Sequence, residues 1–299
     1  MAFLDIALFI LQKTFFRVHY PIGFSFDITN RCNLRCKHCY FVHQKASDEL
    51  PKQKFIENIL TLKKQYPTAI HAAWIGGEPL LRVDLLPDCT QLFSMNMIVT
   101  NGTIELPRLP HCVYNVSVDG TKRFYEEIRG RDLYDKVKQN ADRNDIHVNI
   151  TCVLNKTNSE CIEDFVKEWR QTKIEGISFS FYTPQQGVND NLYLDGKERD
   201  SVIDRILKLK KTYGDFILNS KSVLTLMKSR NASDVIQRCA TPKAFISIDS
   251  LGNVKRPCVM GSTADCQRCG CVVPFELESV VNRRHFDSLR LIKKFYMGT

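Results

Sequence analysis

From residue 22 onward, short apolar runs rich in β-branched and aromatic residues alternate with helix-length amphipathic stretches. The strand-like runs are Phe24–Thr29, Ile70–Ile75, Met97–Thr100, Tyr114–Val118, His147–Leu154 and Gly176–Tyr182. Helical stretches over Lys52–Tyr66, Thr121–Asn144 and Ser159–Thr172 lie between them. Strand and helix in repeated alternation predicts an α/β fold of parallel strands joined by right-handed crossovers. In such a fold, motifs that carry chemistry are expected just after the strands.

The first such place holds three cysteines, Cys32, Cys36 and Cys39, in the run Arg31-Cys32-Asn33-Leu34-Arg35-Cys36-Lys37-His38-Cys39-Tyr40. Three thiolates on one loop can hold three irons of a four-iron cluster and leave the fourth open. A zinc site or three unrelated thiols are the alternatives. The Cys-x3-Cys-x2-Cys spacing, with Asn33-Leu34 and Tyr40, resembles the signature of the radical S-adenosylmethionine (radical SAM) enzymes, although His38 stands where that family often has an aromatic residue. The resemblance implies a [4Fe-4S] cluster whose open iron chelates SAM. It also implies reductive cleavage to a 5′-deoxyadenosyl radical and an electron donor such as flavodoxin or ferredoxin. The strand units then fit that family's partial (β/α)6 TIM-like barrel, where functional groups gather at the C-terminal strand ends.

The later motifs agree with that placement. Gly76-Gly77-Glu78-Pro79 follows the second strand, and glycines let backbone carbonyls approach a ligand closely. Carbonyls with a carboxylate suit an ammonium, and the run resembles the family motif that receives the SAM amino group. Thr100-Asn101-Gly102 resembles a turn that lines the adenosine side. Ser117-Val118-Asp119-Gly120 with Arg129-Gly130 resembles a stretch that meets the SAM ribose and carboxylate. The fifth strand offers Asn149, Thr151 and Asn155 as ribose or methionyl partners, and only one of Asn149 and Asn155 need serve. The resemblance therefore implies a SAM-contacting set of Gly76, Gly77, Glu78, Asn101, Ser117, Asp119, Arg129 and Asn149.

A more polar stretch beginning at Thr183-Pro184-Gln185-Gln186-Gly187 marks a boundary. The expected organisation is an amphipathic helix over residues 1–20, the barrel over 21–187, and C-terminal helices with a cysteine-bearing module over 188–299. The helices are expected near Gly196–Tyr213 and Ser220–Arg230. The module carries Cys239, Cys258, Cys266, Cys269 and Cys271, five cysteines in 33 residues, with a hairpin turning at Leu251-Gly252-Asn253 between the first two. Such a set can converge on one metal centre. It resembles the SPASM and twitch modules, C-terminal iron–sulfur extensions of radical SAM enzymes, in the shorter single-cluster form. The resemblance implies a second, auxiliary [4Fe-4S] cluster held by Cys239, Cys258, Cys266 and Cys269, with Cys271 able to replace either of the last two. Structural zinc is the rival reading. The remaining thiols, Cys89, Cys112, Cys152 and Cys161, read as small buried apolar residues.

Composition narrows the function classes. Twelve cysteines in a chain of 299 residues, without an export signal, favour metal ligation in a reducing cytoplasm over a disulfide framework. The formal net charge of +9 suits an anionic lipid surface, an acidic substrate or plain solubility, and no nucleic-acid motif accompanies it. The apolar run within residues 1–17 is too short to span a bilayer and is broken by Asp5. It reads as a barrel-covering helix or a peripheral membrane contact. The order of segments is also similar to the hopanoid adenosyltransferase group of radical SAM enzymes, which makes a lipid substrate a live class. Peptide, tetrapyrrole, sugar and lipid substrates all remain open, by hydrogen-atom abstraction or, alternatively, by radical addition to a membrane lipid. A non-catalytic iron–sulfur or zinc protein is the reading outside enzymology.

Overall fold

The computed structural model describes residues 21–43, 48–130, 132–188 and 190–297. The expected N-terminal helix over 1–20, and its membrane contact through 1–17, lie outside the described residues. Among those that are described, no helix is long and apolar enough to cross a membrane.

Eight strands form one sheet: β1 (Gly23–Thr29), β2 (His71–Gly76), β3 (Met95–Thr100), β4 (Cys112–Ser117), β5 (His147–Leu154), β6 (Gly176–Phe181), β7 (Phe245–Ile248) and β8 (Val254–Lys255). Their order is β6-β5-β4-β3-β2-β1-β7-β8. Strands β1 to β6 run parallel in chain order, the sense expected of crossover units. The fold is α/β, a partial TIM-like barrel. The sheet also reaches beyond the six expected strands. β7 pairs parallel with β1, and β8 pairs antiparallel with β7 through the hairpin at Leu251–Asn253. Gly252 turns that hairpin at φ 86°, where a side chain would be strained. The Asp249 carboxylate accepts the N–H groups of Leu251 and Asn253.

Alternation along each strand decides what faces the lumen. On β1, Phe24, Phe26 and Ile28 join the core beneath the helices, so Ser25, Asp27 and Thr29 point the other way. Phe26 stacks on Trp74 of β2 at 5.0 Å, and both meet Phe93 edge-on or tilted. Each such buried side chain contributes roughly 1.5–3 kcal/mol, which fixes the register of β1 and hence the position of the loop after it.

Helices cover the outer face. α1 (Lys52–Gln65) buries Phe55 and Ile59. The expected helical stretch over Thr121–Asn144 consists of two helices, α2 (Lys122–Arg129) and α3 (Tyr134–Ala141). Gly130 at φ 78° ends the first. α4 (Ile162–Trp169) follows, then α5 (Gly196–Tyr213), which opens on a capping box of Asp195 and Glu198. The expected helix over Ser220–Arg230 is likewise two, α6 (Lys221–Met227) and α7 (Ser229–Gln237), because Lys228 is extended. The last helix, α8 (Phe286–Met297), lies instead on the inner face, where it packs against β3 and β4 and meets the inward-facing Asn149 of β5.

The sheet has two edges, β6 and β8, and one stretch of chain spans them. After β8, residues 263–265 pair with the segment that leaves β6. The Gln186 N–H donates to the Thr263 carbonyl at 2.7 Å, and the Asp265 N–H donates to the Pro184 carbonyl at 2.9 Å. Further on, the Phe181 N–H donates to the Gly270 carbonyl at 2.8 Å. A Cβ at Gly270 would lie 2.2 Å from the Phe181 carbonyl oxygen, so this approach requires glycine.

His71, at the start of β2, stacks edge-on against Phe245 of β7 with centroids 5.5 Å apart. Burial lowers its imidazole from 6.5 to about 4. Between those values the unfolded chain binds a proton that the folded chain excludes, so stability falls as pH drops through the window. The full effect is about 3 kcal/mol. Thermal midpoints of wild type and His71→Leu, compared at pH 7 and pH 4.5, should show a flatter dependence in the variant. An equal loss in both proteins would place the acid sensitivity on other groups.

Candidate iron–sulfur and SAM site

The loop after β1 carries Cys32, Cys36 and Cys39, and backbone bonds hold it against the motifs after β2 and β4. The Gly77 N–H donates to the Thr29 carbonyl and the Glu78 N–H to the Arg31 carbonyl, each at 2.8 Å. Gly76 has φ 121°, and a Cβ at Gly77 would stand 2.1 Å from the Arg31 carbonyl oxygen. Both glycines are therefore required by the approach of the two loops. On the other side, the Lys37 N–H donates to the Ile128 carbonyl of α2 at 2.8 Å. Glu49 fixes the loop's root by accepting from the Asn30 N–H at 2.9 Å, from Thr29 Oγ1, and from Arg31.

Glu78 is fully buried, and its carboxylate is held by the chain. Oε1 accepts from the Leu80 N–H at 3.0 Å and from Thr100 Oγ1 at 2.7 Å; Oε2 accepts from the Asn101 N–H at 2.7 Å. Burial pushes its carboxyl up, and these donors work against that shift. The carboxylate thus joins the loop after β2 to the turn after β3. In that turn Asn101 Nδ2 donates to Asn33 Oδ1 at 2.8 Å and lies 3.9 Å from the Cys32 sulfur. Asn33 in turn donates to Thr103 Oγ1 at 2.8 Å.

Asp119 and Arg129 form a buried pair at 2.6 Å, and His38 Nε2 stands 3.2 Å from the same carboxylate oxygen. The other oxygen accepts from the Val153 N–H at 2.8 Å. Burial alone would raise the Asp119 carboxyl, but Arg129 and then His38 outweigh it and hold the group well below the usual carboxylate range. Arg129 Nη1 lies 4.0 Å from the Cys36 sulfur. Burial pushes that thiol up to about 11, against the opposing pull of Arg129. Arg129 therefore faces both Asp119 and the three-cysteine loop, and Asp119 is an internal partner rather than an open acceptor.

The structure brings Cys32, Cys36, Cys39, Gly76, Gly77, Glu78, Asn101, Asp119 and Arg129 to one end of the sheet, at the C-terminal strand ends. Ser117 closes β4 at the same end and pairs in register with Thr151 of β5. Asn149 is not part of this group. It lies near the start of β5, beside Asn115, and its Nδ2 donates to the Phe295 carbonyl of α8 at 3.2 Å. Asn155 spends its side chain in a local turn with Val153 and Thr157.

The C-terminal cysteines also come together. Cys239, Cys258, Cys266, Cys269 and Cys271 line one cavity of about 160 Å³, shared with Ser25, His71 and Met97 of the barrel strands. Burial pushes the Cys258 thiol up to about 11 and raises Cys269 and Cys271 as well. Among the described residues no three His, Cys, Asp or Glu side chains stand in the arrangement that holds a single metal ion. Five thiols around one cavity nevertheless supply the donor type that iron–sulfur centres use, and a metal bound there displaces the thiol protons. Cys89, Cys112, Cys152 and Cys161 are buried elsewhere in the core.

Two features were not anticipated. Asp27, in the lumen, pairs with Lys255 of β8, which also lies 5.5 Å from the Phe41 ring. Burial raises the Asp27 carboxyl to about 6 despite Lys255. The alternation of Phe24, Phe26 and Ile28 carried the signal for Asp27, since the residue between them must face inward. The second is Arg199 on α5, at helical spacing from Val202, Ile203 and Ile206.

Residues 26–238 match the family model described as the Radical SAM superfamily. The chain belongs to that superfamily. This radical SAM chain is similar to molybdenum cofactor biosynthesis protein 1 of Dictyostelium discoideum, 31% identical over 227 residues that cover 70% of the chain and 35% of that protein. It is similar to the mitochondrial GTP 3′,8-cyclase of Arabidopsis thaliana, 30% identical over 200 residues (59% and 50% covered). It also resembles sporulation killing factor maturation protein SkfB of Bacillus subtilis, 26% identical over 165 residues (50% and 39%). The chain thus spans half or less of the length of these relatives. Among solved structures it resembles Streptococcus suis SuiB bound to S-adenosylmethionine, with a TM-score of 0.63, 15% identity, and 83% of this chain and 62% of that one covered. Native anSMEcpe with bound AdoMet and Cp18Cys peptide gives 0.62, 16%, 89% and 81%. At such identities the likeness is one of fold.

Proposed function

We propose that this radical SAM enzyme binds a [4Fe-4S] cluster at Cys32, Cys36 and Cys39 and an auxiliary [4Fe-4S] cluster at the C-terminal cysteines, and modifies a substrate held between them. The observation that carries this reading is the pair of cysteine sets: one at the C-terminal strand ends, locked to Gly76-Gly77-Glu78, the other around a cavity lined by the same barrel strands. Held by Cys32, Cys36 and Cys39, the cluster with SAM would supply radical chemistry for hydrogen-atom abstraction from substrate. The chain's own residues bind and orient. The glycine loop offers close backbone, Asn101 and Ser117 offer polar side chains beside it, and Arg129 brings positive charge to the Cys36 side. Cys239, Cys258, Cys266 and Cys269 are proposed as auxiliary ligands, with Cys271 a replacement for either of the last two.

A peptide is the substrate class we place first, since SkfB is named a maturation protein and anSMEcpe was solved with a peptide. Tetrapyrrole, sugar and lipid follow, the last by radical addition. A flavodoxin- or ferredoxin-type donor would deliver the electron. Anaerobic reconstitution followed by iron counting and SAM cleavage with a chemical reductant tests the reading. About eight irons per chain with 5′-deoxyadenosine release are expected. Zinc without cleavage would overturn it.

A further inference from the structure

Arg199 lies on the apolar stripe of α5, where helical spacing places it beside the core residues Val202, Ile203 and Ile206. The residue is 5% exposed. The guanidinium sits between two rings, 4.8 Å from the centroid of Phe181 and 5.5 Å from that of Phe275. Nη1 donates to the Cys269 carbonyl at 3.1 Å. Nε and Nη2 are buried with no acceptor among the described residues.

The other buried cations at the two cysteine sets each have a carboxylate: Arg129 has Asp119 and Lys255 has Asp27. Arg199 forms no ion pair among the described residues. An isolated buried charge is strongly unfavourable, and the favourable contact with aromatic faces offsets only part of that cost. A compensating negative charge is therefore missing, and the chain places it next to the ligand loop. A four-thiolate [4Fe-4S] centre is anionic, and more so when reduced.

We infer that Arg199 is the counter-charge of the auxiliary cluster and raises its reduction potential, an inference that rests on the auxiliary-cluster reading above. A fixed cation beside the centre stabilises the reduced form more than the oxidised one. It also makes the arginine a liability when the metal is absent. The two consequences separate electrostatics from packing.

The test uses the full chain carrying Cys32→Ala, Cys36→Ala and Cys39→Ala, so that iron reports the C-terminal centre alone. Arg199→Met and Arg199→Lys are made in that background and reconstituted anaerobically. Iron content, the midpoint potential followed by EPR, and thermal midpoints before and after chelation are then measured. Arg199→Met should hold iron, shift the potential to more negative values and melt below its parent when loaded. After chelation it should melt above its parent, because the unpaired charge is gone. Arg199→Lys should keep a potential near that of the parent. Equal potentials at equal iron, or a Met variant that melts lower in both forms, would overturn the inference alone. A parent protein that takes up zinc or no iron would instead overturn the auxiliary-cluster reading, and this inference with it.

Discussion

Replacing Cys36 with alanine is expected to drop SAM cleavage to the uncatalysed background while the chain stays folded. The thiol contributes little to folding, because the loop is held by backbone bonds from Lys37 to Ile128, Gly77 to Thr29 and Glu78 to Arg31, none of which involves sulfur. A half-buried loop substitution of this kind costs on the order of 1 kcal/mol. Losing one of three thiolates removes the ligand set that an open-iron cluster requires, so iron should fall from about eight to about four per chain. Cys258→Ala should give the complementary result. Iron falls by a similar amount, yet reductant-driven SAM cleavage persists because the first loop is intact, while product formation fails. Iron counting with quantification of 5′-deoxyadenosine distinguishes the two. Cleavage at the wild-type rate by Cys36→Ala would remove that loop from the chemistry.

The largest stability effect is expected at Asp119. Asp119→Ala leaves Arg129 buried without its carboxylate, which costs about 3–5 kcal/mol when one partner of a buried pair is lost. It also strands the Val153 N–H and the His38 ring, both of which now face Asp119. Replacing both members with apolar residues, Asp119→Leu with Arg129→Met, should recover most of the lost stability, because no charge then remains buried. Denaturant midpoints of the three proteins measure this directly. Because the Asp119 carboxyl is held below its usual range, the pair's contribution is present above about pH 4 and is lost only as pH falls through the lower, folded value. A single variant as stable as wild type would mean that water reaches the pair.

Much of the barrel was legible because parallel strands with buried outer faces leave continuous apolar runs, and helix spacing marks what covers them. The expected strands agree with the observed ones to within two residues at either end. Helix breaks were harder to see. Gly130 reads as a turn only when its left-handed geometry is known, and Lys228 carries no breaking residue type at all. The loop motifs were legible through residue types that glycine-tight backbone and sulfur chemistry demand. What a motif residue touches was not. Asp119 and Glu78 are engaged by their own chain, and Asn149 falls at the start of its strand rather than at the end, a difference that only register decides. The extension of the sheet by β7 was hidden for the same reason, since pairing between residues 23 and 245 leaves no local trace. Arg199 did leave one, as a charge inside an apolar helical stripe.

The chain between β8 and α8 also has a mechanical role. It starts at one edge of the open sheet, crosses to the other, and bonds to the backbone after β6, so it works as a clasp across the mouth of an unclosed ring. The same short stretch bears Cys258, Cys266, Cys269 and Cys271. Occupancy of those thiols and closure of the ring are consequently properties of a single strap. On the proposed reading, loss of metal from those thiols would loosen the same strap that bonds to the backbone after β6.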